Sequence, residues 1–279
     1  MAQKNSFPTA IDDPEKHERQ LALPAATTRY AIYFTPRSGS SWLGDIAIQT
    51  KQLGNPGEPF NPPNVPVIAQ RLNATDLDSY IDKLTRVRNT KGVFGFQITF
   101  GDIGVTFEGP HALMKHFQRD PCFWLIRENI LLQAVSLSKK AQTRIGHTTQ
   151  TDAAQSADTG AQYDAAGIKR FLTHIDHYER GTEAIFTRYK LAPLRLSYER
   201  MTQLEPIEVA QVIARHIGLP DMQFDRIEQT HEKLGTSLNR EFAQRFRTEH
   251  PDLMAEIDNR RAPMLAQLES LETLTARQG

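Results

Sequence analysis

The sequence predicts an α/β fold: a mainly parallel sheet with helices on both faces, followed by a helical C-terminal part. Three observations lead there. Short apolar runs bounded by turn residues alternate along the chain with longer segments of helical period. The first apolar run breaks into a Ser- and Gly-rich turn that opens a helix, a P-loop-like order of strand, turn and helix. Beyond Pro206 only helix-period patterns recur.

Residues 1–28 are polar, hold three prolines and lack the apolar stretch of a signal peptide, so they read as a flexible N-terminal arm. Tyr30–Phe34 is a buried strand that ends at the turn Thr35–Ser41. Trp42, Leu43, Ile46, Ala47 and Leu53 then recur at helical spacing up to Gly54. Residues 54–66 contain five prolines and two glycines, which neither a helix nor an interior strand accommodates, and form a shaped loop. Leu77–Val87 is a short amphipathic helix, Gly92–Phe100 a second strand and Cys122–Ile126 a third. Leu131, Leu132, Val135 and Leu137 place a helix between Glu128 and Thr143. Residues 146–162 show no periodicity and read as a mobile loop. Apolar residues from Ile168 to Tyr189 lie three and four apart and define a long helix that ends before Pro193. Leu194–Tyr198 is a fourth strand, and Pro206–Ile217 a helix closed by Gly218. Phe242, Phe246, Leu253, Ile257, Met264, Leu265 and Leu268 continue the helical period. The organisation is thus one domain over 29–250, preceded by the arm and followed by a helical tail over 251–279.

Lys and Arg number 33, as do Asp and Glu, so the 279-residue chain has no net charge. A binder of nucleic-acid polymers or membrane surfaces carries a basic excess, so any anion site here is local. The single cysteine, Cys122, lies inside a strand, which excludes a disulfide framework and a cysteine-based zinc site. No apolar run has the length of a membrane span. A cytoplasmic protein without stable membrane insertion is the expectation.

The segment Pro36–Trp42 joins a strand to a helix N-terminus, where backbone N–H groups lack helical partners and the dipole end is positive. Such a turn holds a phosphate. Arg37 adds charge, Ser38, Ser40 and Ser41 add hydroxyl donors, and Gly39 lets a ligand approach the backbone closely. The plainer alternative is a Ser-rich turn that only caps a helix. A triphosphate-binding P-loop requires Lys before its Ser or Thr, and position 40 is Ser, so the motif fits a metal-free cradle better than a kinase or ATPase.

This strand and its PRSGSSW turn resemble the 5′-phosphosulfate loop of bacterial carbohydrate sulfotransferases, the trehalose sulfotransferase family most closely. Gly54–Phe60, GNPGEPF, resembles the family's G-E-P-x-E-F-F segment, with Glu58 on the second glutamate and Asn55 in place of the first. Arg127, Gln133–Ser136 (QAVS) and Ala141–Arg144 (AQTR) resemble the family's R…QAVS…QTR helix. Similarity continues through Tyr163–Ile168, Pro193–Glu199 and, more weakly, Leu238–Arg247. Gln97 stands where the family often has lysine.

The resemblance implies the fold of sulfotransferases that use 3′-phosphoadenosine 5′-phosphosulfate (PAPS). It implies PAPS as co-substrate without a metal, a carbohydrate or glycolipid acceptor, and a homodimer as one form. It assigns the 5′-phosphate oxygens to Arg37, Ser38, Gly39, Ser40, Ser41 and Trp42, and the 3′-phosphate to Arg127 and Ser136. The acceptor falls to Asn55, Phe60, Gln97 and Arg144, and catalysis to Arg37 and to Glu58 as general base. Taken on their own, Arg127 reads as a surface ion pair, Ser136 as a neutral helix position and Glu58 as a solvated loop residue. His111, His116 and His147 are alternative bases. The departures at Asn55 and Gln97 also admit a non-catalytic relative that binds PAPS or glycan.

Overall fold

The computed structural model describes residues 7–143, 160–228 and 237–275. Its centre is a sheet of four strands, β1 (Thr28–Phe34), β2 (Val93–Ile98), β3 (Cys122–Ile126) and β4 (Leu194–Ser197), all parallel and ordered β2-β1-β3-β4. The chain leaves β1 toward one edge to form β2, then crosses to the other side for β3 and β4. The switch in direction falls between β1 and β3, which pair from Ala31↔Cys122 to Phe34↔Leu125. At such a point the loops leaving neighbouring strands diverge and open a crevice for ligands.

The strands read as continuous apolar runs because both faces are covered. Alternation divides their side chains between two cores. Ala31, Tyr33, Phe94, Phe96, Trp124 and Ile126 face one, Tyr30, Ile32, Phe34, Phe123 and Leu125 the other. Helix α2 (Ser40–Gln49) follows β1, and α3 (Val65–Leu72) and α4 (Leu77–Val87) lead into β2. Helices α5 (Phe100–Thr106) and α6 (Pro110–Phe117) precede β3, and α7 (Ile130–Thr143) and α8 (Ala165–Tyr189) separate β3 from β4. After β4 come α9 (Tyr198–Met201), α10 (Pro206–His216), α11 (Ser237–Glu249), α12 (Pro251–Leu265) and α13 (Leu271–Thr275). No described helix is long and apolar enough to cross a membrane.

The second strand stops at Ile98, short of the Phe100 expected from its apolar run. Thr99 and Asp102 form a reciprocal capping box that turns the chain into α5. Helices α3, α5 and α6 are absent from the sequence expectations, although α3 and α6 each carry a helix-compatible proline within their first two residues, Pro66 and Pro110.

The flexible arm expected over 1–28 is corrected for its described part. Pro14–Ala22 is a helix, α1, capped by Asp13. It is docked on α4, where the buried Lys83 meets His17 Nδ1 at 2.6 Å, and on α3, where Gln20 donates to the Arg71 carbonyl. The described part of the expected tail, residues 251–275, also packs on the body of the molecule. Met254 and Ile257 of α12 pack with Leu131, Val135, Leu172 and Phe246 in a third core, and Leu268 enters the first. Period alone reveals that the C-terminal segment is helical, whereas the helix in the arm and the docking of both depend on which distant surfaces they meet.

Candidate active site

The loop after β1 takes its shape from two left-handed residues, Arg37 at φ +69° and Gly39 at φ +92°. Gly39 is the N-cap of α2; no side chain caps this helix, and its first turn has no acidic residue. The end is therefore left electropositive. Ser38 is fully buried and its Oγ has no hydrogen-bond partner among the described residues. A buried hydroxyl beside an uncapped helix start fits a phosphate oxygen. Glycine at 39 has a reason beyond ligand approach: a Cβ there would lie 2.3 Å from Cδ2 of Tyr198. The ring packs directly on the loop, with Trp42 edge-on to it at 6.1 Å. Trp42 is buried and braces the loop through that packing, while Ser41 is exposed at the start of α2.

The switch point brings the two expected anion-binding segments together. Arg37 Nε donates to Ser136 Oγ at 3.1 Å across 99 residues of chain. Gln133, one turn earlier on α7, donates through Nε2 to Thr35 Oγ1 and to the Pro36 carbonyl, tying α7 to the loop. Arg127 leaves β3 with its guanidinium stacked 4.7 Å from the Tyr198 ring centre, and Nε donates to Glu199 Oε1 at 2.9 Å. The other Glu199 oxygen accepts from the Glu128 backbone N–H. Burial lowers the pKa of Arg37, and the positive charge of Arg127 lowers it further. Two guanidinium groups near enough to repel, beside an uncapped helix start, make a field that favours a polyanion.

On the other side of β1, Gly57 forms a single parallel bridge with Phe96, and the Gln97 N–H donates to its carbonyl at 2.7 Å. This places Glu58 beside the end of β2. Its carboxylate accepts from Asn61 Nδ2 at 3.0 Å. The following residues are pinned, Tyr80 Oη donating to the Pro59 carbonyl and Thr106 Oγ1 to that of Phe60. Asp102 lies close enough for the Glu58 charge to raise its pKa. Burial is the larger cause, and together they outweigh its hydrogen bonds from Thr99 and push it up to about 6.

Two residues expected at the acceptor are buried. Phe60 has no exposed surface and sits among Tyr80, Phe96, Phe107 and Phe117, so it anchors the loop. Gln97 is buried and donates through Nε2 to the Ser40 carbonyl at 2.8 Å, bracing the start of α2 against the Glu58 loop. Asn55 is exposed. Arg144 and His147 lie outside the described residues. His116 pairs with Asp78 of α4, and His111 is exposed on the same helix; no contact among the described residues joins either to the loop.

A family model described as Stf0 sulphotransferase matches residues 29–249. The chain belongs to that family. The Stf0 match runs from β1 to the end of α11, and so includes every residue of the site described above. No curated protein matches the chain. Membership of the Stf0 family implies sulfotransfer, and the α/β architecture with its loop after β1 agrees with it.

Some residues that shape this Stf0 site were not singled out from sequence. Gln133, Tyr198 and Glu199 lay within matched motifs, but nothing in their type announced that they would grip the loop and Arg127. Asp102 carried one signal, the Thr99-x-x-Asp102 capping pattern.

Proposed function

We propose that the chain transfers a sulfuryl group from PAPS to a hydroxyl of a carbohydrate or glycolipid. The observation that carries this reading is the convergence of Arg37, Ser136 and Arg127 near the switch point, together with the uncapped start of α2. A nucleotide with phosphates at both ends calls for cationic groups at each, and the nearness of Arg37 and Arg127 to the uncapped helix start supports the reading. The backbone N–H groups of the 37–42 loop, with Ser38 Oγ, hold the 5′ end. Arg127 and Ser136 hold the 3′-phosphate, where a planar guanidinium offers paired donors. The bound donor supplies the sulfuryl group and a diphosphonucleoside leaving group. Arg37 and the α2 dipole stabilise the negative charge that develops there, so the chain's own groups provide the electrostatic part of catalysis. Glu58, on the loop bridged to the end of β2, is the residue assigned to take the proton of the acceptor hydroxyl.

Calorimetric titration with 3′-phosphoadenosine 5′-phosphate tests the donor assignment. Arg37→Ala and Arg127→Ala are each expected to weaken binding by roughly 2–4 kcal/mol, as for buried charge-assisted contacts. Unchanged affinity in both would remove the assignment. Turnover of labelled PAPS with mixed glycans then separates an enzyme from a relative that only binds.

A further inference from the structure

We propose that Arg261, in the C-terminal segment beyond the matched family region, is a positioning residue that sets Arg127 for the 3′-phosphate. The inference rests on the reading of Arg127 given above. Where β3 ends, Arg127 and Glu128 have left the sheet and precede the first carbonyl used by α7, that of Asn129, so their own carbonyls need donors from elsewhere. Arg261 supplies them, with Nη2 donating to the Arg127 carbonyl at 2.6 Å and Nη1 to that of Glu128 at 2.9 Å. The same guanidinium is held by Glu179 of α8, at 2.7 Å through Nε and 3.0 Å through Nη2. Both side chains are almost wholly buried, 4% and 2% exposed. A planar, five-donor fork can grip a carboxylate and two carbonyls at once, and a lysine ammonium cannot reproduce that geometry.

The grip continues along the same segment. Arg200 donates through Nη1 to the carbonyls of Leu268 and Glu269, and through Nε to the Glu128 carboxylate. The Glu269 N–H donates to the Arg195 carbonyl of β4. Residues 261–269 therefore contact the chain just beyond β3, Arg195 within β4 and Arg200 after it. With its main chain clamped by Arg261 and Nε engaged by Glu199, Arg127 has its terminal nitrogens left for a ligand among the described residues.

The test compares 3′-phosphoadenosine 5′-phosphate with adenosine 5′-phosphate by calorimetry, because the ratio of their affinities isolates the 3′-phosphate. The variant is Glu179→Met with Arg261→Met, which removes the buried charges together and leaves neither unpaired. Wild type is expected to prefer the 3′-phosphorylated nucleotide, and Arg127→Ala to lose that preference. The double variant should lose about 10- to 100-fold of the preference while its affinity for adenosine 5′-phosphate stays within about twofold. A role limited to stability would leave the ratio unchanged. A folded double variant with the wild-type ratio, when Arg127→Ala abolishes it, overturns the inference alone. No preference in wild type overturns the nucleotide reading, and this inference with it. Should the double variant fail to fold, Arg261→Lys keeps the charge opposite Glu179 but not the two carbonyl bonds. The same ratio then decides, with partial loss supporting the inference and no loss overturning it.

Discussion

Two regions flanking β1 are held in different ways. Between β1 and β3 the groups that would meet the nucleotide are fixed by other polar groups: Arg37 by Ser136, the loop carbonyl by Gln133, and Arg127 by Glu199 and the Tyr198 ring. Beside β2, Glu58 sits on a short loop whose anchors are apolar or main-chain, namely Phe60 in its aromatic cluster, the Tyr80 bond to the Pro59 carbonyl and one bridge to Phe96. The polar side is over-determined: a guanidinium and its partners fix one another's position and orientation. The Glu58 side fixes the main chain firmly and leaves the carboxylate one side-chain partner among the described residues, Asn61. A nucleotide pole needs rigid charge, whereas a base has to meet its proton as the acceptor arrives.

The largest expected effect breaks the comparison at Glu58. Glu58→Gln keeps the shape and cannot take a proton, so turnover should fall on the order of 100- to 10,000-fold while nucleotide affinity holds. Near-normal kcat would remove Glu58 as base, and a parallel loss of nucleotide affinity would show that the two sides are not independent. The next effect lies on the nucleotide side. Gly39→Ala introduces a Cβ against Tyr198 at a left-handed backbone position, and roughly 3 kcal/mol of stability should be lost in urea unfolding. Wild-type stability would mean that the Tyr198 ring moves freely and does not define the loop.

The smallest effect sharpens the link between Glu58 and Asp102. With its pKa raised to about 6, Asp102 binds a proton more tightly in the folded chain than in the unfolded one. Its stabilising contribution is therefore full below the ordinary carboxylate range and is lost as pH rises through about 6. Relative to Asp102→Asn, the wild type should lose about 2 kcal/mol between pH 4 and pH 7 in paired urea titrations. In Glu58→Gln the loss should fall at lower pH, because the neighbouring negative charge is gone. An unshifted transition would separate the two carboxylates.

Much of the fold was legible because its signals are local. The five-residue run at Cys122, the helix from Leu77 to Val87 and the proline before Leu194 each carry their own period or breaker. The strand end at Ile98 was misjudged because Phe100 continues the apolar run, while a reciprocal bond between two small polar side chains stops it. At the site, motif resemblance singled out Arg37, Ser136 and Arg127, which the structure brings together. It also singled out Phe60 and Gln97, whose residue types suit either a pocket or a core.

The sequence by itself determined the alternation of strand and helix, the turn after β1 and the residues able to carry charge there, because these depend on neighbours within a few positions. Tertiary structure alone decided that Phe60 is an anchor, that Gln97 braces α2, and that Tyr198 requires glycine at 39. It alone decided that Arg261 reaches back across 134 residues to the end of β3. A side chain's role follows from the partners left to it after the sheet is ordered and its faces are covered, and those partners come from parts of the chain that no local pattern connects.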